Sequence, residues 1–442
     1  MASDEYDSDA RPVPGTRRAR FGQFGRLAGQ IAGGVMAEGA RRLAGGQRPR
    51  MNELLLTPTN VGRVADRLSH LRGAAMKLGQ MVSMDAGDVL PPELAQIMAR
   101  LRENAHAMPP GQLQAVLAAE WGAGWRKNFR YFNPRPLAAA SIGQVHRATT
   151  RDGRDLAIKV QYPGVRESID ADVDNVATLL RVSGLLPRQL EIAPLLDEAK
   201  AQLREEADYQ REAGQMAAYG KLLYGEDEYV VPGLHSDLTT KNVLAMDYVA
   251  GRPIEALEAE PQAVRDAMME RLIALVLREL FDFGLMQTDP NFANYRVSQD
   301  GKQLVLLDFG AARQVSPHVS QSYRRLLEAG LCEDREAIAR AAVEAGFLSP
   351  HAAQAHRASL DRIIAIIVNE LGKPGPFDFG DRSFVHGVRE EGTAIAQDRA
   401  AWHLPPAEVL LVQRKISGTA LLAARLKARV DVRSMVEAKL AG

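Results

Sequence analysis

Apolar residues recur at intervals of three and four between residues 61 and 82, which predicts a long amphipathic helix. The stripe consists of Val61, Val64, Leu68, Leu71, Ala75, Leu78 and Val82. Because successive helical residues are separated by about 100°, Lys77 and Gln80 share the face opposite the stripe. From spacing alone, this pair is most simply interpreted as a solvated face. A second helix is predicted from Pro91-Pro92 and a third over about 111–120.

Short strands replace this helical periodicity after residue 129. The predicted strands cover residues 132–137, 145–148, 156–160, 229–231 and 243–245. Between the second and third strands, Arg151-Asp152-Gly153-Arg154 predicts a hairpin turn. A small-residue turn precedes the second strand, and its members are Ala138, Ala139, Ala140 and Ser141.

Two longer helices follow in the pattern. The first, over 194–218, carries the acidic residues Glu205, Glu206, Asp208 and Glu212. The second, over 262–284, has an apolar face that is expected to be buried. The members of that face are Leu272, Val276, Leu280 and Phe283. It leads directly into a polar loop that begins at Gln287.

That loop carries the chemistry. Asp289 and Asn294 lie five residues apart, and a buried strand over 304–307 then ends at Asp308-Phe309-Gly310. In kinases the first aspartate accepts a proton or orients the attacking oxygen, while the asparagine and second aspartate hold Mg²⁺. Further copies of Asp-Phe-Gly occur at 282–284 and 378–380 without this context. A turn with acidic caps is the alternative interpretation, but the joint spacing favours a catalytic loop.

The strand over 156–160 supplies the matching lysine. Lys159 lies in Ala-Ile-Lys, which follows the order strand, small-residue turn, strand and hairpin of a kinase small lobe. A lysine there contacts the α- and β-phosphates, and one glutamate from the helix over 194–218 must hold it. The turn has alanines where such lobes have glycines, so a stiffer phosphate loop is expected. Taken alone, it could also be a tight helix start.

A hinge segment is predicted after the strand over 243–245, where backbone groups would contact an adenine. It covers residues 246–251, and its expected nucleotide-binding residues are Met246, Asp247, Tyr248 and Val249.

Composition narrows the class of protein. The formal net charge is +0, which argues against a nucleic-acid partner, and the single Cys332 excludes an internal disulfide framework. Residues 16–50 contain eight arginines and one glutamate around a weak amphipathic pattern. This arm, residues 1–50, has no apolar run long enough to span a bilayer. Contact with an anionic membrane surface and a plain flexible arm remain equally supported interpretations.

The combined motifs resemble the UbiB (AarF-domain-containing, ADCK-like) atypical kinases, in particular the coenzyme Q biosynthesis branch. The resemblance covers about residues 21–440. The residues that carry it are Lys77-Leu78-Gly79-Gln80, Ala138-Ala139-Ala140-Ser141, Lys159, Glu206-x-Asp208 with Arg211-Glu212-Ala213, Gln287-Thr288-Asp289-Pro290-Asn291 with Asn294, and Asp308-Phe309-Gly310.

This resemblance implies an α+β, bilobal protein-kinase-like fold with a small β-rich N-lobe and a helical C-lobe. The implied domains are the arm 1–50, a helical extension 51–128 packed over the active site, the N-lobe 129–250 and the C-lobe 251–442. Implied catalytic residues are Asp289, Lys159, Lys77 and Glu206, with Lys77 entering the site to meet Glu206. Glu212 would pair with Lys159, and Asn294 and Asp308 would hold Mg²⁺.

The resemblance also implies ATP or ADP as cofactor, together with Mg²⁺. The expected function is an ATPase or small-molecule kinase that supports ubiquinone biosynthesis by acting on lipid intermediates or pathway enzymes. Two alternatives remain open: a conventional Ser/Thr protein kinase and a nucleotide-binding scaffold. The former is disfavoured because no His-Arg precedes Asp289 and no Ala-Pro-Glu follows Asp308 within forty residues.

The expected location is the bacterial cytoplasm, with peripheral attachment to the inner membrane. Other bacterial members carry C-terminal transmembrane helices, whereas residues 421–440 here are amphipathic and charged. The phosphoryl acceptor and the oligomeric state, a homodimer included, are left open by the sequence.

Overall fold

A computed structural model of the protein describes residues 73–75, 107–182, 193–373, 375–398, 401 and 405–441. The arm 1–50, the helix predicted from Pro91-Pro92 and most of the helix over 61–82, including Lys77 and Gln80, lie outside these residues. The chain divides into two compact units. The first comprises the described residues up to Gly214 together with Gly233–Tyr248, and the second comprises Gln215–Pro232 and the residues from Val249 onward.

The α-helices are α1 Pro110–Trp121, α2 Val165–Val182, α3 Ala193–Glu206, α4 Tyr209–Leu222, α5 Gln262–Arg278, α6 Pro317–Leu331, α7 Arg335–Glu344, α8 Pro350–Ala355, α9 Arg357–Leu371, α10 Ser383–Gln397, α11 Ala407–Arg425 and α12 Val432–Ala441. The strands are β1 Phe129–Phe132, β2 Ala138–Ala139, β3 Gly143–Thr150, β4 Asp155–Gln161, β5 Tyr229–Val230, β6 Val243–Asp247, β7 Arg252–Pro253, β8 Leu285–Gln287, β9 Tyr295–Val297, β10 Leu304–Leu306, β11 Ala312–Gln314, β12 Phe377–Asp378 and β13 Arg429–Val430.

The first unit is built on an antiparallel sheet with the order β1-β3-β4-β6, and β2 pairs with β3. Its register places Lys159 opposite Val145 on one side and Leu244 on the other. One face of the sheet packs against α1 and a group of aromatic side chains, and together they form a buried core. Members of that core are Leu113, Leu117, Trp125, Phe129, Phe132, Leu156, Ile158, Val160, Val243 and Ala245. The strands predicted over 145–148 and 156–160, the hairpin and the helix over 111–120 are confirmed.

Two local predictions in this unit are wrong or incomplete, and one helix was not predicted. The strand expected over 132–137 is β1, which ends at Phe132, because Pro134 and Pro136 cannot donate to a ladder. The helix expected over 194–218 is two helices, α3 and α4, and Asp208 caps the second by accepting a hydrogen bond from the Arg211 amide (3.1 Å). Helix α2 was not predicted at all, although its buried apolar residues recur at helical spacing. They are Ile169, Val173, Val176 and Leu180.

The second unit combines small sheets with the longer helices. One sheet has the order β5-β10-β9-β7, in which β5 and β10 are parallel, and β8 pairs with β11. The hairpin of β9 and β10 delivers Asn294 before its first strand and Asp308 after its second. None of the described helices combines the length and hydropathy needed to cross a bilayer.

The helix predicted over 262–284 ends differently from the expectation. It is α5 followed by a π-helical turn, Glu279–Phe283, and Gly284 closes it with a left-handed φ of 56°. Leu272, Val276 and Leu280 are buried as predicted, whereas Phe283 is only half-buried. The wider i→i+5 turn changes the angle between successive residues, so Phe283 leaves the face predicted from α-helical spacing.

Candidate functional site

The first unit contains a buried ion pair between Lys159 and Glu212. Lys159 lies on β4, and its Nζ is 2.9 Å from both carboxylate oxygens of Glu212 on α4. Both side chains are almost fully buried, and the Tyr209 ring lies 5.1 Å from the ammonium. Gly143 is required here because a Cβ would fall 2.5 Å from the Val160 carbonyl oxygen. Lys159 is therefore held in one position in this unit by its hydrogen bonds to Glu212.

The small-residue turn is a strand and a tight loop, so the alternative of a helix start is wrong. Ala138 and Ala139 form β2 opposite Val145 and Gln144. The Ala140 amide donates to the Gly143 carbonyl oxygen at 2.8 Å. No residue of the loop has a positive φ, so the conformational freedom of glycine is not used.

Ser141 connects this loop to α3. Its hydroxyl donates to Glu206 Oε2 at 2.7 Å. Gly73 of the helical extension lies against the same segment, since a Cβ there would fall 2.9 Å from the Ser141 carbonyl oxygen. The described part of the extension thus contacts the loop in the first unit. Lys77 lies outside the described residues, so its pairing with Glu206 stays a prediction.

The predicted hinge residues have firm structural partners. Met246 and Asp247 belong to β6, and the Asp247 carboxylate accepts hydrogen bonds from the Gly233 amide (3.0 Å) and His235 Nε2 (2.7 Å). The Tyr248 amide donates to the Asp155 carbonyl oxygen, and its ring lies 4.0 Å from the Arg147 guanidinium carbon. Contact of these residues and of Val249 with an adenine stays a prediction.

The second unit holds the predicted catalytic loop in an ordered turn. Asp289 Oδ1 accepts from the Asn291 amide at 3.3 Å, and Asn291 Oδ1 accepts from the Ala293 amide at 3.1 Å. The buried Asn294 Nδ2 donates to the Asp289 carbonyl oxygen at 3.3 Å. This bond ties Asn294 to the residue five positions earlier.

The same unit brings Asp308 beside this loop. The Leu307 amide donates to the Asn294 carbonyl oxygen at 3.0 Å, and Asp308 Oδ1 accepts from the Gly310 amide at 2.9 Å. Phe309 is buried against the Tyr219 ring, with the centroids 5.1 Å apart. Asp289, Asn294 and Asp308 are therefore on adjoining segments of one unit.

The donor set of Asn294 and Asp308 fits Mg²⁺. Because the Asn294 amide nitrogen is engaged by Asp289, its Oδ1 is the atom suited to a cation. Among the described residues, no group of three or more His, Cys, Asp and Glu could hold a metal ion by itself. A carboxylate and an amide oxygen completed by nucleotide phosphates is the arrangement Mg²⁺ commonly takes.

The two other copies of Asp-Phe-Gly have structural partners. Asp282 lies in the π-helical turn and contacts Lys439. Asp378 Oδ1 accepts from the Gly380 amide at 2.8 Å, and its Oδ2 lies 3.0 Å from Arg429 Nε. Neither adjoins the Asn294 segment in the way that Asp308 does.

A buried network behind the small-residue loop was missed by the sequence reasoning. His146 Nδ1 donates to the Asn133 carbonyl oxygen (2.8 Å), so its Nε2 accepts from Gln144 Nε2 (2.8 Å). Gln144 Oε1 in turn accepts from the Met108 amide at 2.8 Å. Burial lowers the His146 pKa to about 4, although the bond to Asn133 opposes this shift. The available signal was that Gln144 and His146 lie at i and i+2 of β3, on the same face as the apolar Ala148.

Comparison with known proteins agrees with this geometry. Residues 100–342 match the ABC1 atypical kinase-like domain. The Caenorhabditis elegans protein named atypical kinase coq-8, mitochondrial, is 36% identical over 433 residues, which cover 96% of this chain and 57% of that protein. The Saccharomyces cerevisiae atypical kinase COQ8, mitochondrial, is 35% identical over 425 residues, covering 95% of this chain and 83% of the relative.

A solved structure also resembles the chain. The Mycobacterium tuberculosis protein Rv3197, solved as a complex with erythromycin, has a TM-score of 0.60 at 25% identity and covers 84% of this chain and 93% of its own. The expected α+β kinase-like fold is confirmed by these matches. The chain belongs to the UbiB family of ABC1-type atypical kinases, as its motifs predicted.

Proposed function

We propose that this chain is an ATP-dependent atypical kinase or ATPase that supports ubiquinone biosynthesis. The observation that carries the proposal is the buried Lys159–Glu212 pair, with 2.9 Å between the ammonium and each carboxylate oxygen. A kinase uses this pair to hold its lysine on the α- and β-phosphates. A buried ion pair contributes little to stability by itself, so its presence here suits a ligand-binding role.

In this proposal Asn294 and Asp308 hold the magnesium ion of the nucleotide. Bound Mg²⁺ would neutralise negative charge that develops on the transferred phosphoryl group. The Asn294 amide is oriented by the Asp289 carbonyl, and the Asp308 carboxylate is fixed by the Gly310 amide. Both ligands are thus held in position by the backbone before a nucleotide binds.

Asp289 is the proposed proton acceptor or orienting group for the attacking oxygen. It is half-buried, and its Oδ1 accepts a hydrogen bond from the Asn291 amide, which fixes the carboxylate rotamer. The oxygen that attacks the γ-phosphorus, with ADP as the leaving group, is that of water in an ATPase and that of a small-molecule hydroxyl in a kinase. A scaffold without turnover has no use for a carboxylate at this position, so this alternative is disfavoured.

The conformation of the loop 138–141 favours a restricted phosphoryl transfer over general phosphorylation of proteins. The Ala140 amide donates a hydrogen bond to the Gly143 carbonyl oxygen. A glycine-rich loop instead directs such amides toward the terminal phosphates. Gly73 of the extension lies against Ser141 of the same loop. Lys77 follows Gly73 four residues later in the sequence, and we propose that it meets Glu206 and restricts access by a protein substrate.

The pathway assignment rests on relatives that are named as atypical COQ8 kinases. We infer that the acceptor is a lipid intermediate of the ubiquinone pathway or one of its enzymes, reached at an anionic membrane surface. The nucleotide-binding residues proposed besides Lys159 are Ala138, Ala139, Ala140, Ser141, Glu212, Met246, Asp247, Tyr248 and Val249.

The test is ATP turnover by the purified full chain, with and without anionic liposomes. We expect Mg²⁺-dependent phosphate release that anionic liposomes increase and that Asp289→Asn abolishes. Asp378→Asn is the matched control, because it changes another Asp-Phe-Gly whose partners are Gly380 and Arg429. Equal turnover in the wild type and Asp289→Asn would contradict the proposal. A headgroup-resolved lipid profile of a deletion strain should show loss of ubiquinone and accumulation of a precursor.

A further inference from the structure

Helix α11 approaches the catalytic loop more closely than any side chain would allow. A Cβ built on Gly418 would lie 2.0 Å from Pro290 Cβ and 3.0 Å from Pro290 Cγ. Pro290 directly follows Asp289, and its ring has no rotamer that could move away. Glycine at 418 is therefore what permits the helix to contact the loop.

One helical turn earlier, Lys415 contacts the other end of the loop. Its side chain is fully buried, and its Nζ donates to the Tyr295 hydroxyl at 2.6 Å. Tyr295 directly follows Asn294, the proposed metal ligand. The same ammonium lies 3.4 Å from Glu279 Oε2 in the π-helical turn.

Glu279 completes the connection to the start of the loop. Its Oε1 accepts hydrogen bonds from the Tyr219 hydroxyl (2.7 Å) and from the Gln287 amide (3.3 Å). Burial opposes the charge on Lys415, but Glu279 and Tyr295 outweigh it, and the Lys415 pKa is raised. Burial, and then Glu279, raises the Tyr219 pKa well above its usual value, so this hydroxyl stays a donor.

A cavity of about 10 Å³ lies within this network. Gln287, Asn294, Asp308 and Lys415 are among the residues that line it. The buried Gln287 amide has neither its nitrogen nor its oxygen hydrogen-bonded to protein. A space of this size holds about one water, and the polar lining fits such a water. The Lys415–Glu279 ion pair and the two proposed metal ligands, Asn294 and Asp308, therefore line the same buried cavity.

We propose that Lys415 and Gly418 are positioning residues for phosphoryl transfer: through Tyr295, Glu279 and Pro290 they hold the segment 287–295 at three points, with Asp289 and Asn294 between them. This inference rests on the proposed function and extends it to a helix that lies more than a hundred residues further along the chain. Neither residue touches the nucleotide or the acceptor. Their effect is on where the Asp289 carboxylate and the Asn294 amide lie.

Gly418→Ala is the decisive variant, and Gly330→Ala is its matched control. Both glycines are helical, Gly418 in the interior of α11 and Gly330 in the last turn of α6, but a Cβ at Gly330 meets no atom within 4 Å. Gly330→Ala is expected to keep the wild-type rate and Mg²⁺ requirement. Gly418→Ala is expected to fold but to lose about 100-fold in kcat, the scale of a loop displaced by about 1 Å.

The Mg²⁺ titration separates positioning from plain stability. Gly418→Ala should need several-fold more Mg²⁺ for half-maximal rate, while nucleotide binding in EDTA stays unchanged. A folded Gly418→Ala protein with wild-type kcat and Mg²⁺ requirement would overturn the inference. Adding Pro290→Gly removes the colliding ring, so the double variant should be faster than Gly418→Ala alone. If the rate losses of Gly418→Ala and Pro290→Gly are simply additive in the double variant, the inference is also contradicted.

Lys415→Met tests the second contact, with the Mg²⁺ dependence as readout again. This change leaves Glu279 buried without its partner and could prevent folding, in which case Gly418→Ala alone decides. The thermal shift caused by Mg²⁺-ADP gives a reading that does not need turnover. If the wild type lacks turnover but shows that shift, the proposed activity fails, while a smaller shift in Gly418→Ala still supports positioning. An equal Mg²⁺-ADP thermal shift in the wild type and in Gly418→Ala would refute the positioning role.

Discussion

Protonation of His146 should destabilise the folded protein between about pH 6.5 and pH 4. The folded state keeps the ring neutral because the ring is buried, with its Nδ1 donating to the Asn133 carbonyl oxygen and its Nε2 accepting from Gln144 Nε2. Its pKa is lowered from 6.5 to about 4, mainly by burial. Above pH 6.5 both the folded and unfolded states are neutral at this residue, so the stability is fully present. As the pH falls, the unfolded state binds a proton that the folded state refuses.

The size of the effect follows from the two pKa values. A difference of about 2.5 corresponds to about 3 kcal/mol, at about 1.36 kcal/mol per pKa unit. The loss begins near pH 6.5 and is complete below about pH 4, where both states are protonated. That amount is a substantial fraction of the stability of an ordinary domain, so it should be visible in equilibrium unfolding.

The assay is urea unfolding followed by tryptophan fluorescence at several pH values. Trp121 and Trp125 pack in or against the same core of the first unit and report on its unfolding. His146→Gln should flatten the pH dependence relative to the wild type, whatever its own stability. His386→Gln, at an exposed residue, is the control and should leave the wild-type curve intact. Parallel pH curves for the wild type and His146→Gln would refute a depressed His146 pKa.

The remaining predictions concern ligands. Asp308→Asn should abolish the Mg²⁺-nucleotide thermal shift, whereas Asp289→Asn should keep the shift and lose turnover; equal loss of binding would contradict this division between metal ligand and proton acceptor. Ala140→Gly should strengthen ATP relative to ADP by about 1 kcal/mol and increase autophosphorylation, because it frees a loop now closed by the Gly143 carbonyl; isothermal titration of both nucleotides tests it. If residues 16–50 bind membrane, co-sedimentation should require anionic liposomes and weaken with salt, and deleting the arm should remove it.

The local sequence pattern determined those elements whose stability and shape come from near neighbours. The β3–β4 hairpin, helix α1 and the buried strand before Asp308 were predictable, because alternation, turn residues and apolar runs are read within a few positions. The spacing of Asp289, Asn294 and Asp308 was equally local, because these residues lie on one loop and one hairpin. Family resemblance added which glutamate of several would pair with Lys159.

Tertiary structure decided what distant residues impose on these elements. The break before α4 depends on Asp208 capping a new helix, and a single helix over 194–218 satisfies the same periodicity. The contact of Gly418 with Pro290 joins residues more than a hundred positions apart, and a glycine in a helix gives no sign of its neighbour. The burial of Lys415 against Glu279 is likewise invisible in a sequence, because a lysine is ordinarily solvated unless the fold supplies its partner.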